Sequence, residues 1–130
     1  MADGILSTVK EKLGILEDYT HFDSEIITDI NTVFVILSQL GVGPDEPFVI
    51  SGYGERWDDF IEEGVDEAVK SYVALQVRLL FDPPQSSYMM NEMNDKATEL
   101  AFRMNVEAEK SILYPADMSG IYVDGYDEEE

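Results

Sequence analysis

The chain has 130 residues, 28 acidic against 8 basic side chains, a formal net charge of −20 and no cysteine. That length predicts one domain able to bury about two-thirds of its unfolded surface, and the missing cysteines exclude disulfides and thiolate metal sites. Lys10, Lys12, Arg56, Lys70, Arg78, Lys96, Arg103 and Lys110 are scattered, whereas a DNA reader clusters its cations on the phosphates, so sequence-specific DNA binding is not expected.

The N-terminus Met1-Ala2-Asp3-Gly4 lacks the basic region and apolar core of a signal peptide. A short helix follows, with Ile5, Leu6, Val9 and Leu13 on one face and Gly14 as its left-handed terminator. Glu17 to Phe22 is a polar connection, and Thr20 or Asp23 is the expected N-cap of the next helix. That helix, roughly Asp23 to Leu40, carries Ile26, Ile27, Ile30, Val33, Phe34, Leu37 and Leu40 and is expected to be the most enclosed. Its run Val33–Leu37 is the longest apolar stretch, far below the ~20 residues of a membrane span. A soluble, non-secreted protein is therefore expected. Gly41 can take the left-handed position with Val42 folding back on Leu37.

Phe48-Val49-Ile50 is β-prone and reads as an isolated strand or an extended loop. So short a strand is stable only beside a partner, which makes Phe48, Val49 and Ile50 inter-subunit candidates. Glu55 to Glu62 is expected to make a helical turn or two, with Trp57, Phe60 and Ile61 on one side and the acids on the other.

Two longer amphipathic helices span Val65 to Val106, hinged at Asp82-Pro83-Pro84, where neither proline can continue a helix. The first arm's predicted stripe is Val65, Ala68, Val69, Tyr72, Leu75, Gln76, Leu79 and Leu80; the second arm's is Met89, Met93, Ala97, Leu100, Ala101 and Met104. Ser86 or Ser87 is placed to cap the second. The rest of the chain is expected to pack on this hairpin. After Val106 the pattern fades. Ser111 to Pro115 and Gly120 to Gly125 are extended in character, and an apolar-rich tail with no core position of its own suits a partner's groove or sheet edge. The expected division is a helical domain over 1–110 and an extended acidic tail over 111–130.

Catalytic chemistry finds little support. The single histidine, His21, lies in a polar connection without a cysteine or a nucleophile elbow, and reads as a loop or cap residue. No Glu-x-x-His pair exists for a di-iron bundle, and no stretch keeps the EF-hand register. Asp58, Asp59, Glu62, Glu63, Asp66 and Glu67 form a dense acidic patch, for which favourable placement near a helix N-terminus is the plainer account. Gly41-Val42-Gly43 follows a helix and lacks a phosphate loop's lysine, so it reads as a helix cap. Met89, Met90, Met93 and Met104 read as core filling before a plastic partner surface. Arg78 and Arg103, close to the apolar stripes, can pair within the subunit or across an interface. Neither a catalytic residue, a metal ligand nor a cofactor is assigned.

The order of these features is familiar: Leu40-Gly41-Val42-Gly43-Pro44, then Trp57-Asp58-Asp59-Phe60, then Val77-Arg78-Leu79-Leu80-Phe81-Asp82-Pro83-Pro84, Ser86-Ser87 and a long helix ending Arg103-Met104-Asn105-Val106. From Ile5 to Val106 the chain resembles the small head-tail connector (adaptor) proteins of long-tailed bacteriophages, most specifically over Val77–Ser87. The resemblance implies an all-α fold: a small bundle of about four helices that assembles as a ring, about twelve copies, beneath the portal. It implies no enzymatic activity and a continuous DNA channel from head to tail, with DNA only in non-specific proximity. The implied partners are the portal protein, a tail-side neck or tail terminator protein and further copies of the chain, with no membrane. The implied location is the virion head-tail junction, reached from the host cytoplasm during assembly. A C-terminal extension that docks on the portal corresponds here to Ile112, Leu113, Tyr114, Ile121, Tyr122, Val123 and Tyr126. Arg78 and Arg103 join Phe48, Val49 and Ile50 as inter-subunit candidates, and Asp58, Asp59, Glu62 and Glu63 are candidates for facing the channel. An acidic DNA-mimic regulatory protein fits the charge but leaves the apolar tail unexplained. A carboxylate-metal domain ranks third.

Overall fold

A computed structural model of the chain describes residues 4–61, 65 and 67–113, with side chains through Val106. Among the described residues five helices form an all-α bundle: α1 (Ile5–Leu13), α2 (Asp23–Gln39), α3 (Trp57–Phe60), α4 (Glu67–Phe81) and α5 (Ser87–Leu113). The described residues form no strand, only one isolated antiparallel bridge between Gly4 and Arg56.

Helices α1 and α2 stop by the same device. Gly14 and Gly41 take φ of 81° and 85°. The next residue's N–H reaches back a full turn, Ile15 to the Lys10 carbonyl at 2.9 Å and Val42 to the Leu37 carbonyl at 2.9 Å. The glycine N–H groups bond Glu11 and Ser38 at 3.1 Å each, completing a Schellman end at both helices. The start of α2 departs from expectation. Its N-cap is Phe22, whose ring offers no acceptor for a side-chain cap, and the Asp23 carboxylate bonds Lys10 and Tyr53. The α5 cap is as read: Ser86 Oγ accepts from the Met89 N–H at 3.3 Å.

The α4–α5 hairpin exists and breaks at Asp82 to Ser86, but its arms contribute unequally. Helix α4 packs against α1, α2 and α5. Its buried residues are Val69, Tyr72, Val73, Ala74 and Val77, rotated from the expected stripe; Leu80 lies half-exposed instead. A helix covered on several sides buries more than one stripe, and β-branched valines four residues apart make a narrow ridge that neighbours approach closely. Among the described side chains of α5, Ala97 and Met104 alone are buried, and Met89 of the expected stripe is exposed. From α2 come Ile26, Ile30, Val33, Phe34 and Leu37, all but sealed.

Helix α5 also runs further than the sequence pattern indicates. Ser111, Ile112 and Leu113 are helical, not extended, and the helix crosses the expected 110/111 boundary. Glu107-Ala108-Glu109-Lys110 are strong helix formers that propagate it.

Candidate functional site

The stretch between α2 and α3 builds a rigid strap. Three aromatic rings meet there: Phe34 lies 4.7 Å from Phe60 and 5.5 Å from Phe48, and Phe48 lies 5.5 Å from Phe60. Gly43 passes directly over this cluster, at φ 94°, and a Cβ on it would sit 2.5 Å from the Phe60 ring. Beyond it, Asn31 of α2 supplies what a partner strand would. Its carbonyl oxygen accepts from the Ile50 N–H at 2.8 Å, and its amide donates to the Ile50 carbonyl at 3.0 Å. The segment is therefore an extended loop, held by one side chain. Of the three residues expected at a subunit boundary, Ile50 is in the core, Phe48 is half-buried and Val49 is 63% exposed.

Glu55 closes the strap. Its carboxylate accepts from the Ser51 N–H and hydroxyl at 3.1 and 3.0 Å and from the Gly52 N–H at 3.3 Å. Burial pushes this carboxyl up, but those donors outweigh it and the net pKa is lowered. The Glu55 carbonyl in turn accepts the first N–H of α1, from Ile5 at 3.1 Å. Trp57 is sealed beneath, donating from its indole to Thr8 Oγ1 at 3.1 Å.

The buried ammonium of Lys10 joins this strap to the α1–α2 connection. Lys10 is 0% exposed. Its Nζ shares three protons among four acceptors: the Tyr19 and Glu17 carbonyls at 2.7 and 3.1 Å, Asp23 Oδ1 at 2.8 Å and the Tyr53 hydroxyl at 2.7 Å. Tyr53 donates onward to Asp23 Oδ2 at 2.7 Å. Desolvation lowers the Lys10 pKa, yet the Asp23 and Tyr53 hydrogen bonds and the Asp23 charge more than offset it, leaving it raised. Desolvation likewise raises Asp23, and its bonds to Lys10 and Tyr53 with the Lys10 charge reverse that, leaving it lowered. Sequence reading missed this group. The available signal was position: Lys10 stands four residues after Leu6 and three before Leu13, on the edge of the apolar face.

The remaining surface residues fall as follows. Arg78 donates to its own chain's Asp82 carbonyl at 2.7 Å, and Arg103 pairs with Glu99 at 2.8 Å, both within the subunit. Asp58 and Asp59 are exposed at α3, where Asp59 also accepts the Arg56 N–H at 2.9 Å. Glu62 and Glu63 lie outside the described residues, as do Tyr114, Ile121, Tyr122, Val123 and Tyr126. Ile112 and Leu113 lie on the last turn of α5. His21 is an exposed loop residue whose ring meets Phe22 edge to face at 4.7 Å. A groove of about 600 Å³ opens between the α2 end, α4 and α5, lined by apolar residues with Arg103 at its wall. Phe102, 68% exposed, stands on that wall. Among the described residues no group of three or more His, Cys, Asp or Glu converges to hold a metal, and no helix is long and apolar enough to cross a membrane.

A family model described as phage connector protein matches residues 5–111. The chain belongs to the phage connector family. The match takes in every helix except the last two residues of α5. This connector is thereby placed among structural components of the phage particle that act in head-tail assembly. No curated protein and no solved structure matches the chain.

Proposed function

We propose that this connector forms a ring, about twelve copies, between portal and tail, docks on the portal through its C-terminal segment and continues the DNA channel. The supporting observation is the family match over residues 5–111, joined by apolar side chains left exposed on an otherwise sealed subunit, Val49 and Phe102 among them. A ring repeats one heterologous contact until it closes. Each copy then adds avidity, so individually weak tail contacts hold collectively. Portal contacts fall to Ile112, Leu113, Tyr114, Ile121, Tyr122, Val123 and Tyr126. Neighbour contacts fall to the exposed edge at Val49, with Phe48 and Ile50 shaping it and Arg78 and Arg103 able to exchange their local partners. Asp58, Asp59, Glu62 and Glu63 line the channel, where negative charge keeps DNA from adhering. The partner below is a tail-side neck or terminator protein, and assembly proceeds in the host cytoplasm before the virion is complete. No step of this role requires turnover or a cofactor.

The test mixes the purified chain with portal rings and reads complex mass and particle images. Association is expected for the full chain and loss of at least tenfold in affinity, about 1.4 kcal/mol, for a chain ending at Lys110. Full-chain preparations that never associate with portal would refute the reading.

A further inference from the structure

The apolar groove between the α2 end, α4 and α5 lacks a cover among the described residues, and the chain itself carries a segment that suits it. The groove's apolar lining includes Val42, Ile61, Val69, Met104 and Val106. Its volume of about 600 Å³ falls in the roughly 300–1,000 Å³ range of sites that enclose compact ligands. Arg103 is the one cationic residue among the described lining residues, and its pair with Glu99 is solvent-exposed and worth little in water. Past α5 the sequence reads Gly120-Ile121-Tyr122-Val123-Asp124: three consecutive apolar residues, then a carboxylate. Apolar side chains match the apolar lining and the carboxylate matches Arg103.

Reach agrees with chemistry. From Val106 to Leu113 the helix advances about 10 Å at ~1.5 Å per residue. The eight residues from Leu113 to Ile121 span up to about 26 Å when extended. A return to the groove of the same chain is within that length. We infer that Ile121-Tyr122-Val123 docks in this groove in cis, with Asp124 against Arg103, so that the free connector stores its own C-terminal segment. A linker this short gives an effective concentration on the order of millimolar. A segment with Kd of about 0.1 mM would then be docked roughly nine times in ten.

Two measurements on the full chain test this. Hydrogen exchange should show residues 120–124 exchanging about tenfold more slowly than in the Ile121→Asp/Val123→Asp variant, equally at low and high protein concentration. Exchange of 120–124 at the rate of an unstructured peptide would overturn the inference. The chain has no cysteine, so a Val106→Cys/Tyr122→Cys variant treated with a short thiol cross-linker reports the pairing cleanly. A cross-linked product of monomer mass supports docking in cis. A product of dimer mass would make the occupant a second copy, and absence of product would leave the groove without this occupant; either overturns it. Portal binding enters neither readout, so failure here is separable from failure of the connector role.

Discussion

At the scale of single residues the decisive group is Lys10. Removing one partner of a buried ion pair leaves the other desolvated, which costs more than the pair contributes. Lys10→Met is expected to lose about 3 kcal/mol in denaturant unfolding, with the Tyr19 carbonyl also losing its donor while the Glu17 carbonyl keeps the Tyr53 hydroxyl. The pKa directions fix the pH window. Asp23 and Glu55 are lowered from 3.8 and 4.5, so their stabilisation is present above those values and is lost as pH falls through the folded ones. Lys10 and Tyr53 are raised from 10.5 and 10.0, so their stabilisation is present below those values and is lost as pH rises through the folded ones. Asp29, raised by burial and then by Glu25, works against the acid limb because its protonation favours the folded state. A melting-temperature profile should be flat between 4.5 and 10.0 and fall on both sides. Gly43 makes a sharper case. Gly43→Ala should cost about 1–3 kcal/mol through its positive φ and the Phe60 ring, whereas Gly52→Ala, with open space around it, should stay within about 0.5 kcal/mol.

Among elements, legibility followed locality. Helices α1, α2 and α4, the Asp82 to Ser86 break and both glycine ends were readable because propensity, periodicity and caps act within a few residues. The buried ridge of α4 was not, because which of its sides are covered depends on α1, α2 and α5 arriving from distant parts of the chain. The Phe48 to Ile50 segment shows the same limit: nothing near it in sequence announces that Asn31, nineteen residues earlier, pairs its backbone. Of the candidate surface, the apolar tail was visible as unplaced grease, while the Lys10 group and the groove exist only after folding. Asn31→Ala removes both partners of Ile50 at once. It should destabilise by about 2 kcal/mol, and the Ile50 amide should exchange faster by a larger factor than amides of α2.

For the whole molecule, charge sets the terms of assembly. In the proposed ring every copy would add a formal −20, so neighbours would repel until ions screen them. The screening length shrinks from about 30 Å at 0.01 M to about 8 Å at 0.15 M salt. Ring formation with portal, followed by mass measurement, should therefore strengthen over that range. A contact held chiefly by opposite charges would weaken instead.

Helix α5 carries one more consequence. Its 27 residues make a rod about 40 Å long, against about 22 Å for the 15-residue α4, so its far end acts as a crank whose angle is set by residue count. Excising Glu107–Lys110 retracts that end by about 6 Å and leaves its azimuth within roughly 40°. Excising Glu107 alone barely shortens the rod yet swings everything distal by about 100°. If the bearing of the chain's exit matters more than its distance, the smaller excision is the more damaging one.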